Sequence, residues 1–136
     1  MAMPAGESHK LLIVEDHPDV REVLQSFLTT DWYAAEGVAN GQEALDHLRA
    51  ATELPRLIVL DLRMPLMDGW EFLQQRAVEP ALVDIPVLVV TAVPSRAAPT
   101  GLGVAEIIAK PVDVATLLEK IGQHVRPRPI EPAFYE

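Results

Sequence analysis

Short apolar runs alternate along this chain with segments whose apolar residues recur at helical spacing. Continuous runs at Leu11–Val14, Leu57–Leu60 and Val87–Val90 predict strands; Glu106–Ala109 is a shorter candidate strand and Tyr33–Val38 a weaker one. Apolar runs of this length without alternation are typical of strands that are buried on both faces of a parallel sheet.

Four amphipathic helices are predicted from apolar residues that lie three or four positions apart. Asn40 and Asp113 are suitable N-caps, and Pro18 suits a first helical turn. Strands that alternate with helices predict an α/β, doubly wound fold, in which helices cover both faces of a parallel sheet. The predicted apolar stripes are Val20, Val23, Leu24, Phe27 and Leu28; Ala44, Leu45 and Leu48; Trp70, Leu73 and Ala77; and Val114, Leu117, Leu118, Ile121 and Val125.

The connection before the last strand departs from this pattern. Residues 93–103 have the sequence VPSRAAPTGLG, whose prolines and glycines leave room for a short helix at most. We therefore expect the fourth helix of the fold to be short or irregular. Residues 1–8 and the proline-rich residues 127–136 are predicted to be tails on either side of one domain at 9–126.

Composition narrows the possible functions. A chain of 136 residues, 49% hydrophobic and 23% charged, fits one globular domain. Its formal net charge of −9 argues against direct binding to nucleic acid. With no cysteine, it has no disulfide, thiolate metal site or cysteine nucleophile. Neither a secretory signal nor an apolar run of the ~20 residues that a membrane span needs is evident, so we expect a cytoplasmic protein without a membrane partner.

Polar residues follow four of the predicted strands. Glu15 and Asp16 follow the first strand, Asp61 the third, Thr91 the fourth and Lys110 the fifth. In open α/β sheets, ligands bind outside the carboxyl ends of the strands, so we expect these side chains to share one site.

This set of side chains suits phosphoryl transfer. Two carboxylates at ~4 Å repel by several kcal/mol at an effective dielectric of ~20, unless a cation lies between them. Carboxylate oxygens are ligands that suit Mg²⁺. A lysine and a hydroxyl can hold a phosphoryl group, and an aspartate that is ionised at neutral pH can act as the nucleophile without a base.

The segments LLIVEDHPDVR, LIVLDLRMPLMDG, VLVVTA and IIAKPV cover most of residues 9–126 in this order. Together they resemble response-regulator receiver domains of two-component signalling. The resemblance implies a five-stranded sheet of order 2-1-3-4-5, with Asp61 as the phosphoacceptor. It also implies Mg²⁺ as cofactor, held by Asp16, Asp61 and the backbone carbonyl of Arg63, with Glu15 binding directly or through water.

The resemblance assigns the remaining site residues as well. Thr91 would hydrogen-bond a phosphoryl oxygen, Lys110 would pair with the phosphoryl group, and the bond between Lys110 and Pro111 would be cis. The phosphoryl donor would be a phosphohistidine on a histidine kinase or histidine phosphotransfer protein. Phosphorylation would then change binding to a downstream protein that the sequence does not identify. The protein would turn over no external substrate.

Two positions depart from the expected picture. Ile107 stands where the family has Tyr or Phe, so either it packs in the fifth strand or the output does not use an aromatic flip. Because the fourth-helix region is altered, we expect a monomer or a weak dimer. His17, beside Asp16, is expected to be a surface loop group rather than a ligand.

Other functions stay open on the sequence. The chain could be a phosphorylation-independent binding module with a receiver fold, or a receiver domain excised from a hybrid kinase or a multidomain regulator. A phosphatase of the haloacid dehalogenase type would need a second aspartate where Arg63 stands, and its absence argues against that activity.

Overall fold

Five parallel strands form the centre of the computed structural model, which describes residues 9–30, 32–92 and 102–125. The expected short or irregular helix before the last strand falls almost wholly outside these ranges, as do the two predicted tails. No helix in the described ranges is long and apolar enough to cross a membrane. The elements are β1 (His9–Val14), α1 (Pro18–Leu28), β2 (Tyr33–Val38), α2 (Gly41–Ala50), β3 (Leu57–Leu60), α3 (Gly69–Ala77), β4 (Val87–Thr91), β5 (Val104–Ala109) and α4 (Val114–His124).

The strand order is β2-β1-β3-β4-β5, which confirms the predicted order 2-1-3-4-5. All four strand pairs are parallel. The chain changes direction across the sheet between β1 and β3, and this switch point is where doubly wound folds bind ligands. Val14 is in register with Leu60 there, so the residues that follow the two strands, Glu15 and Asp61, emerge side by side.

The sheet is buried on both faces, which explains the continuous apolar runs. In β1, Leu12 and Val14 enter a core that they share with α2 and α3. Leu11 and Ile13 enter a second core, which they share with α1 and α4. A strand between two cores has no polar face, and the absence of alternation in β1, β3 and β4 follows from this position.

Helices α2 and α4 have the predicted faces and caps. The predicted stripe of α2 is buried, as are the central residues of the α4 stripe. The side chain of Asn40 accepts a hydrogen bond of 2.9 Å from the amide of Glu43 at the start of α2. Asp113 accepts one of 2.7 Å from the amide of Thr116 at the start of α4.

The predicted faces of α1 and α3 need correction. Helix α1 packs mainly against the edge strand β2, so Val23 and Phe27 stay 49% and 57% exposed, and only Leu28 is fully buried. In α3 the fully buried face comprises Phe72, Leu73 and Arg76, whereas Trp70 is only partly buried. The buried face of α3 was not predicted because it includes Arg76, a residue type that usually lies on the polar face of a helix.

Candidate functional site

Two buried carboxylates and a lysine meet at the carboxyl edge of the sheet. Glu15 follows β1, Asp61 follows β3 and Lys110 follows β5. The Nζ atom of Lys110 lies 3.3 Å from Oε1 of Glu15 and 3.4 Å from Oδ2 of Asp61. The parallel sheet thus brings together three side chains that are far apart in sequence.

Burial decides the electrostatics of this group. Glu15 is 2% exposed and Asp61 is 9% exposed. Burial raises the pKa of Asp61 and outweighs the opposing charge of Lys110, while the charge of Glu15 adds to the increase. Burial also acts to raise the pKa of Glu15, but hydrogen bonds from His17 and the charge of Lys110 outweigh it, so the net shift is downward. Asp61 is therefore the carboxylate whose charge the site stabilises least.

An apolar cavity of about 480 Å³ adjoins the three side chains, which form part of its wall. The rest of its lining is largely apolar and includes Val59, Val90 and Leu117. Charges beside such a lining are poorly solvated, which accounts for the effect of burial on Asp61. The same surroundings strengthen the attraction between Lys110 and both carboxylates, and the pKa of Lys110 is raised although burial alone would lower it.

The other predicted site residues lie around this group. The Oδ1 atom of Asp61 accepts a hydrogen bond of 3.3 Å from the amide of Arg63, whose side chain is exposed. Thr91 ends β4, is fully buried, and accepts a hydrogen bond of 2.8 Å on its backbone carbonyl from the amide of Lys110. The bond between Lys110 and Pro111 is cis, as expected.

His17 is an exposed loop residue, as expected, and it also contacts both acidic residues that follow β1. Its ring is 69% exposed, yet Nδ1 lies 3.1 Å from Oε2 of Glu15 and 3.3 Å from Oδ1 of Asp16. The hydrogen bond to Glu15, followed by the charge of Asp16, raises the pKa of His17. The available signal in the sequence was a histidine at the N-cap directly after an acidic pair.

The donor atoms at this edge fit a divalent cation. Glu15, Asp16 and His17 each offer one donor atom, and the three atoms lie within 4.8 Å of one another. Oδ1 of Asp16 is buried and makes no hydrogen bond, although Nδ1 of His17 lies 3.3 Å from it as an ion-pair partner. A cation beside it would satisfy that oxygen, and the oxygen-rich set suits Mg²⁺.

Comparison with known proteins fits this geometry. A family model described as the response regulator receiver domain matches residues 11–122. This chain belongs to the response regulator receiver family. Receiver domains of this family are two-component signal transducers, generally not enzymes with external substrates, and they bind Mg²⁺ through acidic residues.

Individual relatives extend this comparison. Response regulator MprA of Mycolicibacterium vanbaalenii is 35% identical over 120 residues, which are 86% of this chain and 50% of MprA. The chemotaxis response regulator CheY4 of Vibrio cholerae has a TM-score of 0.78 at 26% identity, with 87% of this chain and 99% of CheY4 covered. The phosphorylated cyanobacterial phytochrome response regulator RcpA has a TM-score of 0.68 at 28% identity, with 85% and 90% covered. The receiver domain spans about half the length of the curated relatives that it matches.

Ile107 is partly exposed in the last strand of the sheet. It lies in β5, in register with Val89, and is 38% exposed. Its place in the strand is what the simpler of the two explanations requires, so both explanations stay open. Val89, its neighbour in β4, is fully buried.

Proposed function

We propose that this receiver domain takes a phosphoryl group onto Asp61 from a phosphohistidine of a histidine kinase or histidine phosphotransfer protein. The observation that carries the proposal is the Lys110 ammonium between the buried carboxylates of Glu15 and Asp61. Lys110 faces two carboxylates at a sheet switch point, where doubly wound folds bind ligands. When a phosphoryl group is attached to Asp61, this lysine would pair with the phosphoryl oxygens instead. Phosphorylation of the relative RcpA supports the same chemistry.

The reaction forms one bond and breaks one bond. A carboxylate oxygen of Asp61 forms the new bond to phosphorus, while the phosphorus–nitrogen bond of the donor breaks and its electron pair stays on the imidazole. Asp61 needs no general base because a carboxylate is the ionised form at neutral pH. Lys110 would neutralise the phosphoryl oxygens, and the hydroxyl of Thr91 would donate a hydrogen bond to one of them.

Mg²⁺ belongs to this proposal as the cofactor. Asp16, Asp61 and the carbonyl of Arg63 would hold the ion, with Glu15 binding directly or through water. When bound, Mg²⁺ would supply positive charge beside the phosphoryl oxygens. The residues of the receiver domain do the rest: they hold the nucleophile, partly exclude water and pair with the new charge.

The output follows from the same contacts. The phosphoryl group would attract Lys110 and Thr91, which are joined by a backbone hydrogen bond at the ends of β4 and β5. Movement there would alter the surface near β5 and thus the affinity for a downstream protein. We propose that this output does not use an aromatic flip, since Ile107 occupies the relevant position.

Intact-mass spectrometry tests the proposal directly. The protein is incubated with acetyl phosphate and Mg²⁺, beside an Asp61→Asn variant and a sample with the metal chelated. We expect the mass to rise by one phosphoryl group only in the wild-type protein with Mg²⁺. Because acetyl phosphate bypasses the protein donor, transfer from phosphorylated histidine proteins is measured in parallel. No gain from either donor would refute the proposal.

A phosphorylation-independent binding module is the second candidate, and the exposed Ile107 favours it. In that case, a partner would bind the wild-type protein and the Asp61→Asn variant equally, with or without acetyl phosphate. The mass measurement separates the two functions because only the receiver with a working phosphoacceptor forms an acyl phosphate.

A further inference from the structure

Arg21 holds the backbone of the turn that carries the acidic pair, Glu15 and Asp16. From its place near the start of α1, its Nη1 atom donates a hydrogen bond of 2.8 Å to the backbone carbonyl of Glu15. The amide of Glu15 donates one of 3.0 Å to the carbonyl of Val38, which ends β2. The backbone of Glu15 is therefore fixed on both sides, by two different elements.

The contact of Arg21 also determines how the chain continues into Asp16. The carbonyl of Glu15 and the amide and Cα of Asp16 belong to one planar peptide unit. A fixed carbonyl therefore fixes the direction in which the chain leaves toward Asp16, and with it the position from which the Asp16 side chain starts. Because Arg21 binds a carbonyl, it orients the acidic pair without occupying the carboxylate oxygens that would hold Mg²⁺.

A glycine in the neighbouring strand leaves room for the stem of Arg21. Gly37 lies in β2, in register with Ile13 of β1. A Cβ atom at position 37 would come within 2.8 Å of Cγ and 3.1 Å of Cδ of Arg21. The φ of Gly37 lies outside the left-handed region, so its backbone does not require glycine, and glycine weakens a strand interior. The space that the Arg21 stem occupies explains the glycine at this position.

We propose that Arg21 is a positioning residue for the Mg²⁺ site, which holds the carbonyl of Glu15 so that Glu15 and Asp16 present their carboxylates to the ion. This inference rests on the metal site of the proposed function and deepens it. Loss of a contact that orients metal ligands typically weakens metal binding about 10- to 100-fold. Because Arg21 acts through the backbone of the acidic pair, its loss should change the affinity for Mg²⁺ and not the reaction at saturating Mg²⁺.

Calorimetric titration with Mg²⁺ tests this inference on the wild type, Arg21→Ala, Arg21→Lys, Gly37→Ala and the double variant with alanine at both positions. Acyl-phosphate formation from acetyl phosphate is measured over a range of Mg²⁺ concentrations. Metal-free protein gives an independent readout, the hydrogen exchange of the His17 amide, which donates to Oε2 of Glu15 at 3.2 Å. Arg76→Met is the matched control, because this buried arginine also donates to backbone carbonyls, but these precede β4 and β5 at the opposite edge of the sheet.

We expect Arg21→Ala to raise the Kd for Mg²⁺ about 10-fold, with the phosphorylation rate at saturating Mg²⁺ within ~2-fold of the wild type. Arg21→Lys should recover part of the affinity, because an ammonium can also donate to a carbonyl. Gly37→Ala should weaken Mg²⁺ binding by displacing the stem, but should add little in the Arg21→Ala background, where that space is empty. The His17 amide should exchange faster in Arg21→Ala and in Gly37→Ala.

An unchanged Kd for Mg²⁺ in Arg21→Ala would leave Arg21 with a structural role and overturn the proposal. An equal loss of affinity in Arg76→Met would mean that affinity follows the stability of the fold, which also overturns it. If the loss caused by Gly37→Ala persists in full in the Arg21→Ala background, Gly37 does not act through Arg21, and the argument from the glycine fails.

The outcome is separable from that of the proposed function. If wild-type protein binds Mg²⁺ and forms the acyl phosphate, and Arg21→Ala does so at the same Mg²⁺ concentrations, only this inference fails. If wild-type protein neither binds Mg²⁺ nor forms an acyl phosphate, both proposals fail.

Discussion

Arg76 provides a strong test of how this receiver domain is held together. Its guanidinium is almost fully buried and contacts three carbonyls: Nη1 donates to Leu102 at 2.7 Å, and Nη2 donates to Val83 at 2.8 Å and to Ile85. These carbonyls belong to the α3–β4 connection and to the segment that enters β5. One side chain of α3 therefore ties two loops to the body of the domain.

We predict that Arg76→Met lowers the free energy of unfolding by about 2–4 kcal/mol. Each hydrogen bond from a charged donor contributes ~1.5–3 kcal/mol, and two of the three bonds are only partly buried, which favours the lower end of the range. Removing the guanidinium also recovers part of its desolvation penalty, which is several kcal/mol for a buried ion. The lowered pKa of Arg76 reflects that penalty, which the charge of Asp84 partly opposes.

Urea unfolding followed by circular dichroism measures this change. Arg56→Met is the matched control, because Arg56 is exposed, and we expect an effect within ~0.5 kcal/mol. Arg76→Lys should fall between the wild type and Arg76→Met, because one ammonium lacks the guanidinium fork that reaches both loops. A loss below ~1 kcal/mol in Arg76→Met, at an unchanged m-value, would refute the assignment of Arg76 as a structural clamp.

Three further predictions concern the site and one helix cap. Because burial raises the pKa of Asp61, its ionised form destabilises the fold, so Asp61→Asn should be more stable than the wild type at neutral pH. The difference in unfolding free energy between Asp61→Asn and the wild type should disappear below the usual carboxyl pKa of 3.8, where Asp61 is protonated in both states, and grow as pH rises through the raised value. Urea titrations at several pH values would measure this difference. A difference that does not change with pH would contradict the reasoning. Asp113→Ala should lower the melting temperature through a loss of ~1 kcal/mol, because the amide of Thr116 loses its cap, with acyl-phosphate formation unchanged. Arg63→Ala should shorten the lifetime of the phosphoryl group on Asp61, because we expect the exposed Arg63 side chain to flank the route of an attacking water; an unchanged decay rate in a mass-spectrometric time course would exclude this role. From the sequence we expect Val93, two residues after Thr91, to flank the same route, but it lies outside the described residues.

The sheet was predictable because its signal is local. Strands β1, β3 and β4 lie between two cores, so each is a continuous apolar run, and β3 has the predicted bounds. Strand β5 begins two residues before the predicted start. It follows Gly103, whose positive φ of 80° and close approach to the guanidinium of Arg76 favour a residue without a side chain. That packing depends on α3 and has no local signal.

The buried face of α3 was not predictable, because its reason lies elsewhere in the chain. Arg76 occupies a core position only because carbonyls of Val83, Ile85 and Leu102 receive its hydrogen bonds. A periodicity argument treats arginine as polar and therefore predicts a buried face that includes Trp70 instead of Arg76. The same limit applied to His17, since its contact with Glu15 depends on how the chain enters α1.

Charge balance links the pKa shifts at the carboxyl edge to the proposed chemistry. Glu15, Asp16 and Asp61 supply three carboxylates against the ammonium of Lys110 and the imidazole of His17, which is charged only when protonated. The ionised carboxylates therefore leave an excess of up to two negative charges. One divalent cation has the charge that offsets this excess. Burial raises the pKa of Asp61, and Lys110, which is shared with Glu15, opposes this increase only in part. A bound cation should therefore lower the pKa of Asp61 and stabilise the fold together, whereas a cation that stabilised the fold without changing this pKa would have to bind elsewhere.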